Sequence, residues 1–186
     1  MTSKTCGRTL TSTKISCPPV DPVERVLGLD PGSRVTGWGL LVGSRRRVES
    51  VQFGCLTPRR SESRAVRLAS LSDGLDEVLR LCEPGVVVVE TPFTAKFPRS
   101  ALALAESRGA LLAVLGRWGG KVVEYEPARV KAAVVGNGRA EKRQVCYVVQ
   151  RLLELPTPPQ EDAADALALA VCHLWSHRLD GLVSSC

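Results

Sequence analysis

Four carboxylates in this chain occupy positions from which they can do chemistry. Asp30 ends the apolar run of residues 26–29 and precedes Pro31 and Gly32, while Glu90 ends the unbroken valine run of residues 86–89. An acid at the end of so apolar a strand is costly to bury alone, and a divalent cation is the partner able to neutralise several such groups together. Asp162 and Asp165 are spaced i, i+3 and so share one face near the start of a helical stretch. Acids in a first turn complement the helix dipole, which by itself accounts for Glu161, Asp162 and Asp165. Yet Ala163, Ala164, Ala166 and Ala168 suit a helix lying close against a sheet, and two Asp on such a helix ask for a further reason. For Asp30 and Glu90 the plain alternative is a solvated strand end or a helix cap.

Phosphodiester hydrolysis supplies that reason. It needs an activated water, stabilised charge on the phosphate and support for the departing oxygen. Two Mg²⁺ ions roughly 4 Å apart supply all three, and three or four carboxylates hold them. An oxygen-only donor set suits such hard cations. The cysteines, Cys6, Cys17, Cys55, Cys82, Cys146, Cys172 and Cys186, are scattered and never spaced CxxC. That argues against a zinc site or a disulfide framework and fits a reducing cytosol. His173 and His177, an i, i+4 pair with no HExxH around them, leave only a weak zinc alternative.

The elements that must position these groups follow from the hydrophobic pattern. Residues 26–30 and 36–42 read as a hairpin around the Pro31-Gly32 turn, and residues 48–56 as a third strand after Arg45, Arg46 and Arg47. Residues 64–81 carry Leu68, Leu71, Leu75, Val78 and Leu79 at helical spacing. The valine run is a strand buried on both faces. A helix from Ser100 to about Leu115, a strand over 122–125, and helices over 127–135 and 141–153 come next. A rigid break at 156–159 precedes a last helix from Glu161. Strands first in series and then alternating with helices imply an α/β fold, a mixed five-stranded sheet flanked by helices.

The chain has 186 residues, 44% of them apolar, which suits one core. The expected division is a disordered tail over 1–24, one domain over 25–178 and a C-terminal tail over 179–186. Residues 1–24 lack the apolar run of a signal peptide, and no stretch reaches the roughly 20 apolar residues that cross a bilayer. A soluble, cytoplasmic protein is expected. The net charge of +6 and a pI near 9.1 favour a polyanionic partner such as nucleic acid.

LGLDPGSRVTGWG at residues 27–39 resembles the opening of the RuvC family of Holliday junction resolvases, and ETPFTAK at 90–96 its second acidic motif. The stretch from Glu126 through Lys131, Gly136, Glu141 and Lys142 to PQEDAADALA at 159–168 is also similar, so the resemblance spans residues 26–177. It implies a ribonuclease-H-like fold and a homodimer that nicks two strands of a four-way DNA junction symmetrically, in recombination and repair. Asp30, Glu90, Asp162 and Asp165 would then be catalytic metal ligands for Mg²⁺ or Mn²⁺, two ions per subunit. Some relatives carry histidine at the place of Asp162. Lys131 and Lys142 match basic residues beside the scissile phosphate, and Phe93 an aromatic that stacks on a base at the crossover, with Phe97 a second candidate. Lys96 is a further expected DNA contact, and Arg99, Arg108, Arg139 and Arg143 are either phosphate contacts or surface charges. The family also implies RuvA and RuvB as partners. The leader and the tail past His177 depart from its frame. Rival readings are a related nuclease for structured RNA, an actin-like nucleotide-binding protein, and a silent DNA-binding module.

Overall fold

The structure, a computed structural model, describes residues 22–44, 46–91 and 98–183. The elements run β1 (Glu24–Asp30), β2 (Thr36–Gly43), β3 (Val48–Leu56), α1 (Arg64–Cys82), β4 (Val86–Glu90), α2 (Pro98–Trp118), β5 (Lys121–Tyr125), α3 (Pro127–Val135), α4 (Lys142–Leu152) and α5 (Glu161–Val183). One sheet has the order β3-β2-β1-β4-β5. β1, β2 and β3 pair antiparallel, as hairpin-linked strands do, and β1, β4 and β5 pair parallel through helical crossovers. The expected mixed five-stranded sheet is therefore the one found.

Alternation along the strands divides the interior in two. Leu27, Leu29, Leu40, Val87 and Val89 face α1 and α2, where they meet Leu71, Leu75, Leu111 and Leu115. Val26, Leu41, Val86 and Val88 face the other way, toward α3, α4 and α5. Both faces of the sheet are covered, which is why β4 is apolar at every position before Glu90.

α5 lies directly on the sheet because glycines and alanines meet there. Gly28 and Gly39 are paired across β1 and β2. A Cβ on Gly28 would sit 1.8 Å from the Ala166 carbonyl oxygen, and one on Gly39 would sit 2.7 Å from the Leu167 side chain. No side chain fits between these backbones, so the glycines set how close α5 comes. From Ala166 to Leu174 every α5 residue is buried, including His173.

Helix ends differ slightly from the hydrophobic pattern. α2 begins at Pro98, two residues before Ser100, since proline is well suited to a first helical turn. It continues to Trp118 and stops where Gly119 takes a positive φ of 73°. α4 begins at Lys142, because Glu141 is its extended N-cap and its backbone N–H donates to the Gln144 side chain at 3.0 Å. Among the described residues no helix is long and apolar enough to cross a membrane.

Candidate active site

β1 and β4 run parallel in the register Val26↔Val86 through Leu29↔Val89. Asp30 and Glu90 are each the next residue, so two neighbouring strands end side by side in carboxylates. By the two-residue period both side chains lie on the face of Gly28 and Val88, the α5 face. On the other flank of β1, Asp30 pairs with Gly37. The backbone of Asp162 rests on Gly37, where an added Cβ would be 1.9 Å from the Asp162 carbonyl oxygen. The start of α5 is thereby held over the end of β1, and Asp165 follows one turn on.

The electrostatics reflect that convergence. Burial raises the Asp30 pKa from an ordinary 3.8 to about 7, helped by the like charges of Glu90, Asp165 and Asp162 and opposed by Lys142. Burial also raises Glu90, with Asp165 adding to it and Lys142, Lys131 and Arg108 pulling it down. Asp165 is raised by burial against the pull of Lys142. All four sequence-selected acids thus belong to one coupled cluster.

Lys142, at the first position of α4, is the cation that reaches it. Its Nζ lies 2.9 Å from Glu161 Oε1 and 3.2 Å from Asp165 Oδ2. Burial works against its charge, but hydrogen bonds to Glu161 and Asp165 and their negative charges raise its pKa above the usual lysine value. Lys131 on α3 is half-buried and acts on Glu90 through charge alone.

These residues fit a hard divalent cation by donor chemistry: oxygen ligands only, partly buried, carrying more negative charge than Lys142 offsets. As the side chains stand, no three Asp, Glu, His or Cys among the described residues converge as tightly as a bound ion requires.

Arg108 has a role that its exposed-looking sequence context hides. It is 8% exposed, not a surface charge. Its Nη1 donates to the Glu90 carbonyl oxygen at 2.5 Å and its Nη2 contacts Glu124 Oε2 at 2.7 Å. The arginine therefore clamps the ends of β4 and β5 and is placed to orient Glu90 rather than to track phosphates. Its neighbour Thr91 donates its N–H to the Tyr125 carbonyl at 2.8 Å, which fixes the same strand end.

His173 is in the core, its Nδ1 2.8 Å from the Tyr125 hydroxyl, so the zinc alternative has no footing there. The side chain of His177 lies outside the described residues, as do Phe93, Lys96, Phe97 and the side chain of Arg99. Arg139 and Arg143 are exposed. Gly28, Gly37, Gly39 and the inward Arg108 were not singled out by sequence reasoning for these roles. The glycines leave a signal, since they recur on one strand face opposite an alanine-rich helix. Arg108 leaves none.

Comparison with known proteins settles the family. The model of crossover junction endodeoxyribonuclease RuvC matches residues 26–173. This chain belongs to the RuvC family. The RuvC of Shewanella amazonensis is 43% identical over 153 residues, covering 82% of this chain and 88% of that protein. The RuvC of Sorangium cellulosum is 47% identical over 150 residues, covering 81% and 84%. Among solved structures, T. thermophilus RuvC in complex with Holliday junction substrate aligns with a TM-score of 0.77 at 28% identity, covering 84% of this chain and 96% of that one. The yeast mitochondrial Holliday junction resolvase Ydc2 aligns with a TM-score of 0.63 at 14% identity, covering 90% and 86%, a likeness of fold alone. The fold is the ribonuclease-H-like one of the RuvC resolvases.

Proposed function

We propose that this RuvC-family chain is a divalent-metal-dependent endodeoxyribonuclease that resolves Holliday junctions, with Asp30, Glu90, Asp162 and Asp165 holding the metal. One observation carries the site assignment: Asp30 and Glu90 end adjacent parallel strands directly beneath the helix that bears Asp162 and Asp165. The T. thermophilus complex with a Holliday junction supports the substrate.

Mg²⁺, or Mn²⁺ in its place, would be held by these carboxylates, two ions per subunit, and would supply an activated water and neutralise charge on the phosphate. The chain's own residues do the rest. Asp30 and Glu90 provide ligands on rigid strand ends, and the packing of α5 fixes Asp162 and Asp165 at a set height above them. Arg108 holds the Glu90 backbone. Lys142, with a third N–H beyond those facing Glu161 and Asp165, is assigned to a phosphate oxygen, and Lys131 acts on the Glu90 side. Phe93 and Lys96 are assigned to the DNA, Phe93 by stacking.

Paired symmetric nicks need two sites, so the working form is a homodimer of the 20.0 kDa chain. It acts in recombination and repair in the cytoplasm, in concert with RuvA and RuvB. The nuclease domain is taken as residues 25–178, with β1 reaching back to Glu24 and α5 on to Val183.

The deciding assay compares a synthetic four-way junction with linear duplex and structured RNA, each with and without Mg²⁺. Cleavage confined to the junction and to Mg²⁺ is expected. Equal cutting of all three substrates would favour the structured-RNA nuclease reading.

A further inference from the structure

Beside the carboxylates, α4 and the proline segment before α5 enclose a hollow of about 360 Å³ lined by Lys142, Arg143, Cys146, Tyr147, Pro158 and Glu161, among others. That volume is at the small end of ligand-sized pockets. Its walls are fixed to each other: the Cys146 thiol donates to the Pro159 carbonyl at 3.6 Å, and Gln150 Nε2 donates to the Leu155 carbonyl at 3.4 Å. Lys142, which lines the hollow, also places its Nζ 3.2 Å from Asp165 Oδ2, so the hollow and the acidic cluster share this residue.

Two side chains here have no evident structural task. Arg143 and Tyr147 are one helical turn apart on the same face of α4, both exposed, Tyr147 by 64%. Neither side chain makes a hydrogen bond with another described residue. An aromatic ring left in water on a helix, one turn from an arginine and across from Pro158, matches the stacking-plus-cation chemistry that holds single nucleotides. Arg143 supplies the positive charge for an anion here, on a rim where Lys142 binds Glu161 at 2.9 Å.

We propose that this hollow is a nucleotide subsite for the strand that is cut: Tyr147 packs against the base of a nucleotide flanking the scissile phosphate, and Arg143 contacts that nucleotide's phosphate. The inference rests on the junction-cleaving reading above and extends it to how the strand is threaded past the carboxylates. Base contact by stacking tolerates any base, so the subsite positions the strand without fixing sequence.

The test uses a fluorescent four-way junction with 2-aminopurine placed beside the cut position, itself mapped with the wild-type protein. Binding is followed by anisotropy in EDTA at several salt concentrations, together with 2-aminopurine emission. Tyr147→Ala should weaken junction binding about 5-fold or more and abolish the emission change seen with wild type, whereas Tyr147→Phe retains both. Arg143→Gln should flatten the dependence of log affinity on log salt by roughly 0.7–0.9, one phosphate contact. The Phe variant separates stacking from misfolding. Wild-type affinity, emission change and salt slope in Tyr147→Ala and Arg143→Gln, with wild type still cutting the junction, would overturn the subsite alone. A wild-type protein that neither prefers nor cuts the junction would overturn the reading beneath it, and the subsite with it.

Discussion

Gly37 lies against the backbone of Asp162 so closely that a Cβ would stand 1.9 Å from the Asp162 carbonyl oxygen, and the same Gly37 is paired in register with Asp30. One glycine thus ties an acid on the first strand to an acid on the last helix. The site's depth is set by backbone contact, not by the acids themselves.

Gly37→Ala and Gly28→Ala should each force α5 away from the sheet, at a cost of about 3 kcal/mol, the upper part of the usual overpacking range. Gly109→Ala, in the middle of α2 with nothing within 4 Å of the added carbon, should be neutral or stabilise by up to about 1 kcal/mol. Urea unfolding of the three variants checks this. Equal stabilities would contradict the close packing.

Stability without metal should depend on pH through Asp30. Its carboxyl titrates near 3.8 when exposed and near 7 in the fold, so the folded state holds the extra proton between those values. Stability is then fully present below about pH 4 and is lost as pH rises through about 7, by roughly 4 kcal/mol for this group. Thermal midpoints in EDTA should therefore fall between pH 5 and pH 8 by more in wild type than in Asp30→Asn. Mg²⁺ should restore the midpoint at pH 8.

Arg108→Gln should raise the Mg²⁺ concentration needed for half-maximal cleavage several-fold, because the Glu90 carbonyl loses its charged donor. Arg108→Lys, which cannot span Glu90 and Glu124 with a fork, should recover only part of the loss. A drop in rate with unchanged Mg²⁺ dependence would place the effect elsewhere than Glu90.

Lys142→Gln should lower the single-turnover cleavage rate by about 100-fold or more, the usual size of a lost charge-stabilising donor, while weakening junction binding far less. Parallel losses in rate and affinity would make Lys142 a binding residue only.

Much of this site was legible in the chain because its parts interrupt strong local patterns. Asp30 and Glu90 stop apolar runs, and Asp162 and Asp165 interrupt an alanine-rich helix. The valine run marks β4 as a strand covered on both faces, but the order β3-β2-β1-β4-β5 is not written in these runs. What escaped depends on tertiary register. Arg108 looks like any helix-surface arginine until β4 and β5 are seen to end beside it. The glycines look like turn or flexibility residues until α5 is laid across them. Helix ends slipped by two or three residues at α2, where Pro98 and Gly119 outweigh the apolar period. His173 follows Cys172 in a helical run, and only the fold shows it spent on Tyr125.

The most direct measurement is cleavage of a four-way junction in Mg²⁺ by Asp30→Asn and Glu90→Gln beside wild type, with junction binding measured on the same preparations. Both variants should bind the junction and fail to cut it. Normal turnover by either would contradict the assignment of these two strand ends as the metal site.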